Sequence, residues 1–301
     1  MERAVPQRVW PAYVQLASSM ILVGTSVIFG KYIVEHVPVA LTAALRFMIS
    51  LVVLLPMTLA SGRLVPRLER QEWGSLILQA FCGVFLFNFL ILEGVRRTSM
   101  ISVGLITSAL PAAIAIGGWL LLRERLRMRL WVSVALAILG IAAVNASSST
   151  SETEASALGN LLVIGAVIAE ALFSVLAKRL SGRLTPTQMS FWVNLIGLVL
   201  FLPLAVPLAL AFAWSAVPDA IWLVLAVYAV SSGVFSFVLW YAGQARVPVS
   251  VAGLFTGFAP LTTAALAIIV VGERPTIGVV LGAVALFGSL AVATWPETTR
   301  R

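Results

Sequence analysis

The sequence predicts an all-α polytopic membrane protein of ten transmembrane helices, arranged as two inverted five-helix repeats with both termini in the cytoplasm. Three observations carry this: composition, long charge-free intervals and an internal duplication. Of 301 residues, 60% are hydrophobic and 11% charged, whereas soluble domains average about 45–50% apolar and 25% charged. This composition excludes a soluble enzyme, a nucleic-acid binder and a disulfide scaffold.

The elements follow in order. The intervals 9–30, 73–92, 98–122, 130–151, 184–218, 220–245, 247–272 and 275–296 carry no charge, and each holds the ~20 residues that cross a bilayer core. Segments 37–60 and 157–180 complete the ten once Arg46 and Glu170 are accepted inside the membrane. The first interval follows the basic start MERAVPQR, but at 22 residues it exceeds the 7–15 of a signal-peptide core, so it reads as helix 1. The N-terminus, the loops after helices 2, 4, 6 and 8 and the C-terminus together hold fifteen Lys and Arg, against Lys31, Arg96, Arg97 and Arg274 on the other side. The positive-inside rule then sets both termini, with segments 60–72, 122–130 and 179–185, in the cytoplasm and segment 145–157 outside. An integral multi-pass protein of a bacterial inner membrane is the expectation. Cys82, a lone cysteine, reads as a small packing residue in an apolar segment.

A shift of 149 residues superposes Gly94 on Gly243, Arg97 on Arg246, Gly104 on Gly253, Thr107 on Thr256, Pro111 on Pro260 and Glu124-Arg125 on Glu273-Arg274. Upstream, with a two-residue gap, Lys31 falls on Lys178. Hydrophobic bias does not produce coincident Gly, Pro, Arg and Glu. The chain therefore divides into a first repeat, 1–145, a polar and acidic linker, 146–157, and a second repeat, 158–301. Five spans is an odd number, so the second copy is threaded in the opposite direction. Inverted repeats enclosing a site at mid-membrane are a recurrent architecture of secondary transporters working by alternating access.

The run from Gly24 to Lys31, the Ala44-Leu45-Arg46-Phe47 segment and Pro111 followed by Glu124-Arg125-Leu126, with Pro260 and Glu273-Arg274 repeating that junction, resemble the EamA family of the drug/metabolite transporter superfamily. The resemblance covers residues 12–295. It implies ten helices and export or uptake of small metabolites, with export of amino acids or related compounds as the class and the aromatic amino acid exporter branch as its most specific form. The chain departs from the family in helix 6: the position just before Ala171, commonly apolar, is Glu170. Two other readings stand beside this one, a non-transporting membrane interaction or lipid-scrambling protein, and a carrier for a drug or sugar-type metabolite.

Candidate substrate contacts follow from the cost of polarity in lipid, about 2.5–3.5 kcal/mol for a charge at a helix centre. Glu170 lies midway along helix 6 with Ala166, Ser174, Ala177 and Lys178 on one stripe, which points this face away from lipid. Its carboxyl suits a substrate ammonium or a proton; the alternative is a carboxyl that packs helices together. Asn88, Asn194, Thr107, Ser108 and Thr256 are neutral polar groups suited to a ligand or to bridging helices. Trp192 and Tyr241 are the aromatic candidates, with Trp119 and Trp240. Trp10, Trp73, Trp131, Trp214, Trp222 and Trp295 fall near span ends, as an interfacial belt requires.

Pro111 and Pro260 are expected kinks in helices 4 and 9, which should face each other across the site and leave helices 5 and 10 outside the path. Arg46 reads as an architectural ion pair with Glu93. Lys31 and Lys178 end helices 1 and 6, snorkelling or gating. Gly253 with Gly257, and Gly278 with Gly282, permit close helix approach within the fold or in a homodimer. With His36 the single histidine and no P-loop or dinucleotide fingerprint, no metal site, cofactor or catalytic residue is expected. The expected partners are a small-molecule substrate and the lipid bilayer, and no nucleic acid.

Overall fold

The computed structural model describes residues 9–147, 156–271 and 276–295, which are helical with no strand among them. Ten helices are long and apolar enough to cross a membrane: α1 Trp10–Val34, α2 Val39–Ala60, α3 Arg70–Val95, α4 Ser102–Leu122, α5 Met128–Ala146, α6 Ala157–Leu180, α7 Pro186–Ala211, α8 Asp219–Gln244, α9 Val249–Val270 and α10 Ile277–Thr294. The interval 184–218 is shorter as a helix than its lack of charge suggested: α7 stops at Ala211 and a 3₁₀ turn, Trp214–Ala216, leads into α8. Local signals set the starts. Thr185 and Gln188 form a capping box before α7 with Pro186 at its first position, where a missing N–H costs nothing. Glu69 and Glu72 do the same for α3.

An even number of spans puts the start of α1 and the end of α10 on one face, here the terminal face, with connections 61–69, 123–127, 181–185 and 245–248; the opposite face is distal. The repeats are interlaced rather than set side by side. Helix α1 packs on α8 and α9, and α6 packs on α3 and α4; α2 lies along α7, and α5 along α10. Each copy's first helix is thus held by the other copy. The repeated glycines explain the closeness: a Cβ at Gly94 would run into Val163 and the Gly159 carbonyl of α6, and one at Gly243 into Leu16 and the Ala12 carbonyl of α1. Ala12 and Leu16 stand 147 residues before Gly159 and Val163, so one crossing is the other repeated.

Both α3 and α8 contain a π-helical turn at the same place in the repeat, Phe81–Leu86 and Ala229–Phe235. A π-turn leaves carbonyls without their usual partner, and polar side chains collect there. The Ser50 hydroxyl donates to the Ala229 carbonyl at 3.1 Å, and the Asn194 amide to the Gly233 carbonyl at 3.1 Å. Helix α4 breaks at Ser108–Ala109, one turn before Pro111, and α9 tightens into a 3₁₀ turn, Phe255–Gly257, before Pro260. The repeated prolines therefore sit at interrupted helices. Gly253 meets Ile114, Gly257 meets Leu286 and Ile141, and Gly282 meets Val144 and the Gly140 carbonyl; these glycines serve contacts inside the chain.

Candidate functional site

A cavity of about 340 Å³ lies between the two copies. Helix α1 supplies Ser19, Met20 and Val23; α3, Phe87; α4, Thr107 and Leu110; α5, Ile141 and Asn145; α6, Glu170 and Phe173; α8, Ser236, Phe237 and Trp240; α9, Thr256, Ala259 and Pro260. Four pairs are equivalent positions of the repeat: Thr107 with Thr256, Leu110 with Ala259, Phe87 with Ser236, and Val23 with Glu170. The carboxyl is thus an asymmetric charge in a quasi-symmetric chamber, and Glu170 is its one ionisable lining residue among the described residues. No hydrogen bond or ion pair is made by its carboxyl among the described residues. The rest of its stripe is buried in protein, with Ala166 at 0% and Ser174 and Ala177 at 1% exposure.

The chamber's hydrogen-bonding character is set by neighbouring carbonyls. Ser19 donates to the Ser236 carbonyl at 2.8 Å, Thr107 to Val103 at 2.8 Å and Thr256 to Gly253 at 2.7 Å. Each hydroxyl proton is spent on backbone, and the oxygen remains an acceptor. The Trp240 indole N–H is buried with no partner. Behind the wall, the Tyr241 hydroxyl accepts from the Gln79 amide at 3.0 Å and is only 2% exposed.

A second cavity, about 440 Å³, lies in the distal half of α1, α2, α3, α7 and α8 and shares no lining residue with the first. It holds Arg46, Asn88, Thr42 and Tyr228. Arg46 does not pair with Glu93, as its sequence position suggested. Glu93 binds Arg96 at 2.9 Å and Arg97 at 3.0 Å, one turn along its own helix, where i,i+3 and i,i+4 neighbours are within reach without spanning two helices. The Arg46 guanidinium lies 4.4 Å from the Phe47 ring centroid and 5.9 Å from that of Tyr228.

The terminal end of the central chamber is latched. The Lys178 ammonium donates to the Gln244 and Ala245 carbonyls at 2.9 and 3.0 Å, capping α8. The Gln244 amide donates to the Ser174 carbonyl at 2.8 Å. Glu124 reaches across from the first copy to the N-terminus of α9, accepting from the Val249 N–H at 2.7 Å and from the Ser250 N–H and hydroxyl at 3.2 and 2.7 Å. Helix N-terminal amides are natural anion sites. Lys31, the repeat equivalent of Lys178, is exposed and makes no such bond among the described residues; Glu273 and Arg274 lie outside the described residues, as does most of the segment 145–157.

Several sequence candidates lie elsewhere. Trp192 donates to the Leu64 carbonyl at 3.1 Å and packs edge-on against Trp73, holding the 61–69 connection. Asn194 is fully buried and braces α8 through Gly233, and Ser108 closes onto Leu105 at the break in α4. Asn88 donates to Val84 at 2.7 Å and lines the distal cavity. Trp119 is exposed on the outer surface. Helix α5 is not outside the site, since Ile141 and Asn145 line it alongside Thr107 and Leu110, the residues that flank the break in α4. Sequence reasoning passed over Ser19, Val23, Phe87 and Ser236. Projecting Glu170 back by 147 residues onto Val23 would have marked α1 as its opposite wall.

Comparison with known proteins agrees with this architecture. A solved crystal structure superposes with a TM-score of 0.76 over 93% of this chain and 95% of its own, at 20% identity, which speaks to the fold. The Uncharacterized transporter YetK of Bacillus subtilis (strain 168) is 38% identical over 264 residues, 87% of this chain and 80% of that protein. The Uncharacterized transporter YyaM of the same strain is 24% identical, covering 90% of each chain, and the WAT1-related protein At5g47470 of Arabidopsis thaliana is 27% identical over 76% of this chain and 72% of its own. The EamA-like transporter family profile matches twice, over residues 10–146 and 157–295. The chain is a membrane transporter of the EamA-like transporter family.

Proposed function

We propose that the protein is a secondary transporter that exports small metabolites, amino acids or related amino compounds, through the chamber around Glu170 by alternating access. The observation that carries this reading is one unpaired carboxyl in an otherwise uncharged chamber lined by both copies of the repeat. A charge there is expensive, and a cationic or proton-bearing cargo offsets that cost. The latch of Lys178 and Glu124 closes the terminal end, and the equivalent Lys31 makes no such bond among the described residues, which fits one extreme of an alternating cycle. Because the copies interlace, the moving bodies mix helices of both rather than being 1–145 against 158–301. The fifteen-to-four charge bias supports a cytoplasmic terminal face, in a bacterial inner membrane.

The test is counterflow into proteoliposomes of the purified full chain, screened over the twenty amino acids and common metabolites. Saturable exchange of any of them supports the carrier reading. Exchange of none, with lipid probes moving between leaflets instead, replaces it with a scrambling activity.

A further inference from the structure

Resting on the carrier reading above, the question becomes which charge type the chamber accepts, and its lining has a definite polarity. Three of its four hydroxyl protons are spent on backbone carbonyls, and the oxygens that gave them remain acceptors. The Glu170 carboxyl is unpaired, and the hydroxyls of Ser19, Thr107 and Thr256 have already given their protons to backbone carbonyls. Their oxygens face the chamber as acceptors. The rings of Phe87, Phe173 and Phe237 add aromatic surface, which attracts cations through the ring quadrupole. Against these stand two spare donors, the Trp240 indole N–H and the Ser236 hydroxyl, which makes no hydrogen bond among the described residues.

What is missing is as informative. Among the described residues the lining contains no Lys, Arg or His. The interrupted helices could have offered free amides to an anion, as half-helix N-termini do in other carriers, but at these breaks the N–H groups of Ser108, Ala109 and Phe258 are occupied. Ser108 donates to Gly104, Ala109 to Ile106, and Phe258 to Phe255 and Thr256. A zwitterionic amino acid placed with its ammonium on Glu170 would hold its own carboxylate a few ångströms away, with no cation to receive it and with Glu170 repelling it. Arg46, a cation within a span, lines the other cavity.

We infer that the central chamber selects organic ammonium compounds that lack a carboxylate, an amine on an aromatic or aliphatic body, over the corresponding amino acids. Glu170 holds the ammonium, the spent hydroxyls solvate it and the phenylalanine rings take the body. The indole N–H of Trp240 and the hydroxyl of Ser236 suit a neutral acceptor on the cargo.

Tryptamine and tryptophan differ only in the carboxylate and make the direct test. Proteoliposomes of the full chain would be assayed for counterflow of each radiolabelled compound, and the detergent-solubilised protein for equilibrium binding of each. The expected result is tryptamine exchange favoured over tryptophan by about tenfold or more, about 1.4 kcal/mol, with tryptamine binding lost in Glu170→Gln and retained in part in Glu170→Asp. Equal or greater exchange of tryptophan overturns the inference while leaving the carrier reading intact. So does tryptamine exchange undiminished in Glu170→Gln. If neither variant folds, competition of wild-type tryptamine exchange by simple amines and not by amino acids supports the inference, and competition by amino acids overturns it. Saturable exchange of neither compound, together with no exchange in the wider screen, overturns both readings.

Discussion

Replacing Glu124 with Ala removes the carboxylate that ties the first copy to the N-terminus of α9. Val249 and Ser250 are 0% and 1% exposed, so their N–H groups lose their acceptor without gaining water. An orphaned buried donor costs about 1–3 kcal/mol, and the favourable interaction of an anion with the helix terminus, about 0.3–1 kcal/mol, goes with it. Taking the lower part of the range for each amide, the loss is about 3 kcal/mol. At about 2–4 °C per kcal/mol for chains of some 150–250 residues, melting should fall by roughly 6–12 °C; Glu124→Gln, which keeps one acceptor oxygen, should fall by less. The nine tryptophans make intrinsic fluorescence during a thermal ramp in detergent a suitable assay. Glu93→Ala is the control: its partners Arg96 and Arg97 are 65% and 50% exposed, and solvent-screened pairs contribute little, so no resolvable shift is expected. A Glu124→Ala protein melting with the wild type, or a Glu93→Ala protein destabilised as much as it, would refute the assignment of the latch.

Three further outcomes are expected. In a cysteine-free background, a maleimide should label Thr150→Cys in intact cells but Gly182→Cys only after permeabilisation; a Cβ at Gly182 meets nothing within 4 Å, and reversed labelling would overturn the charge-based topology. Asn194→Leu should lower melting by about 2–4 °C, reflecting about 1 kcal/mol for an interhelical hydrogen bond, with substrate preference unchanged, because the amide serves α8 rather than the chamber; altered selectivity would contradict this. Gly282→Leu should abolish the monodisperse peak on size exclusion, since its Cβ would meet the Gly140 carbonyl at 2.6 Å and backbone cannot yield, whereas Gly288→Leu on the same helix, with open space around it, should elute as the wild type.

The number of spans was legible in the sequence because a bilayer imposes a length on every apolar interval, and the duplication was legible because Gly94 and Gly243 or Pro111 and Pro260 recur at one shift. Glu170 stood out for the same reason, a charge where lipid forbids one. Which polar residue meets which cavity was settled in three dimensions. Thr107 and Thr256 line the chamber, yet Ser108, one residue on, is turned away by the break in α4, and Asn194 is taken by a π-turn that no sequence period announces. Arg46 and Glu93 looked like partners in one dimension, but Glu93 finds Arg96 and Arg97 along its own helix first. Periodicity and hydropathy report what each helix shows to lipid. Contacts such as Ser19 to Ser236 or Glu124 to Val249 join residues 217 and 125 positions apart, and only the interlacing of the two copies brings those surfaces together.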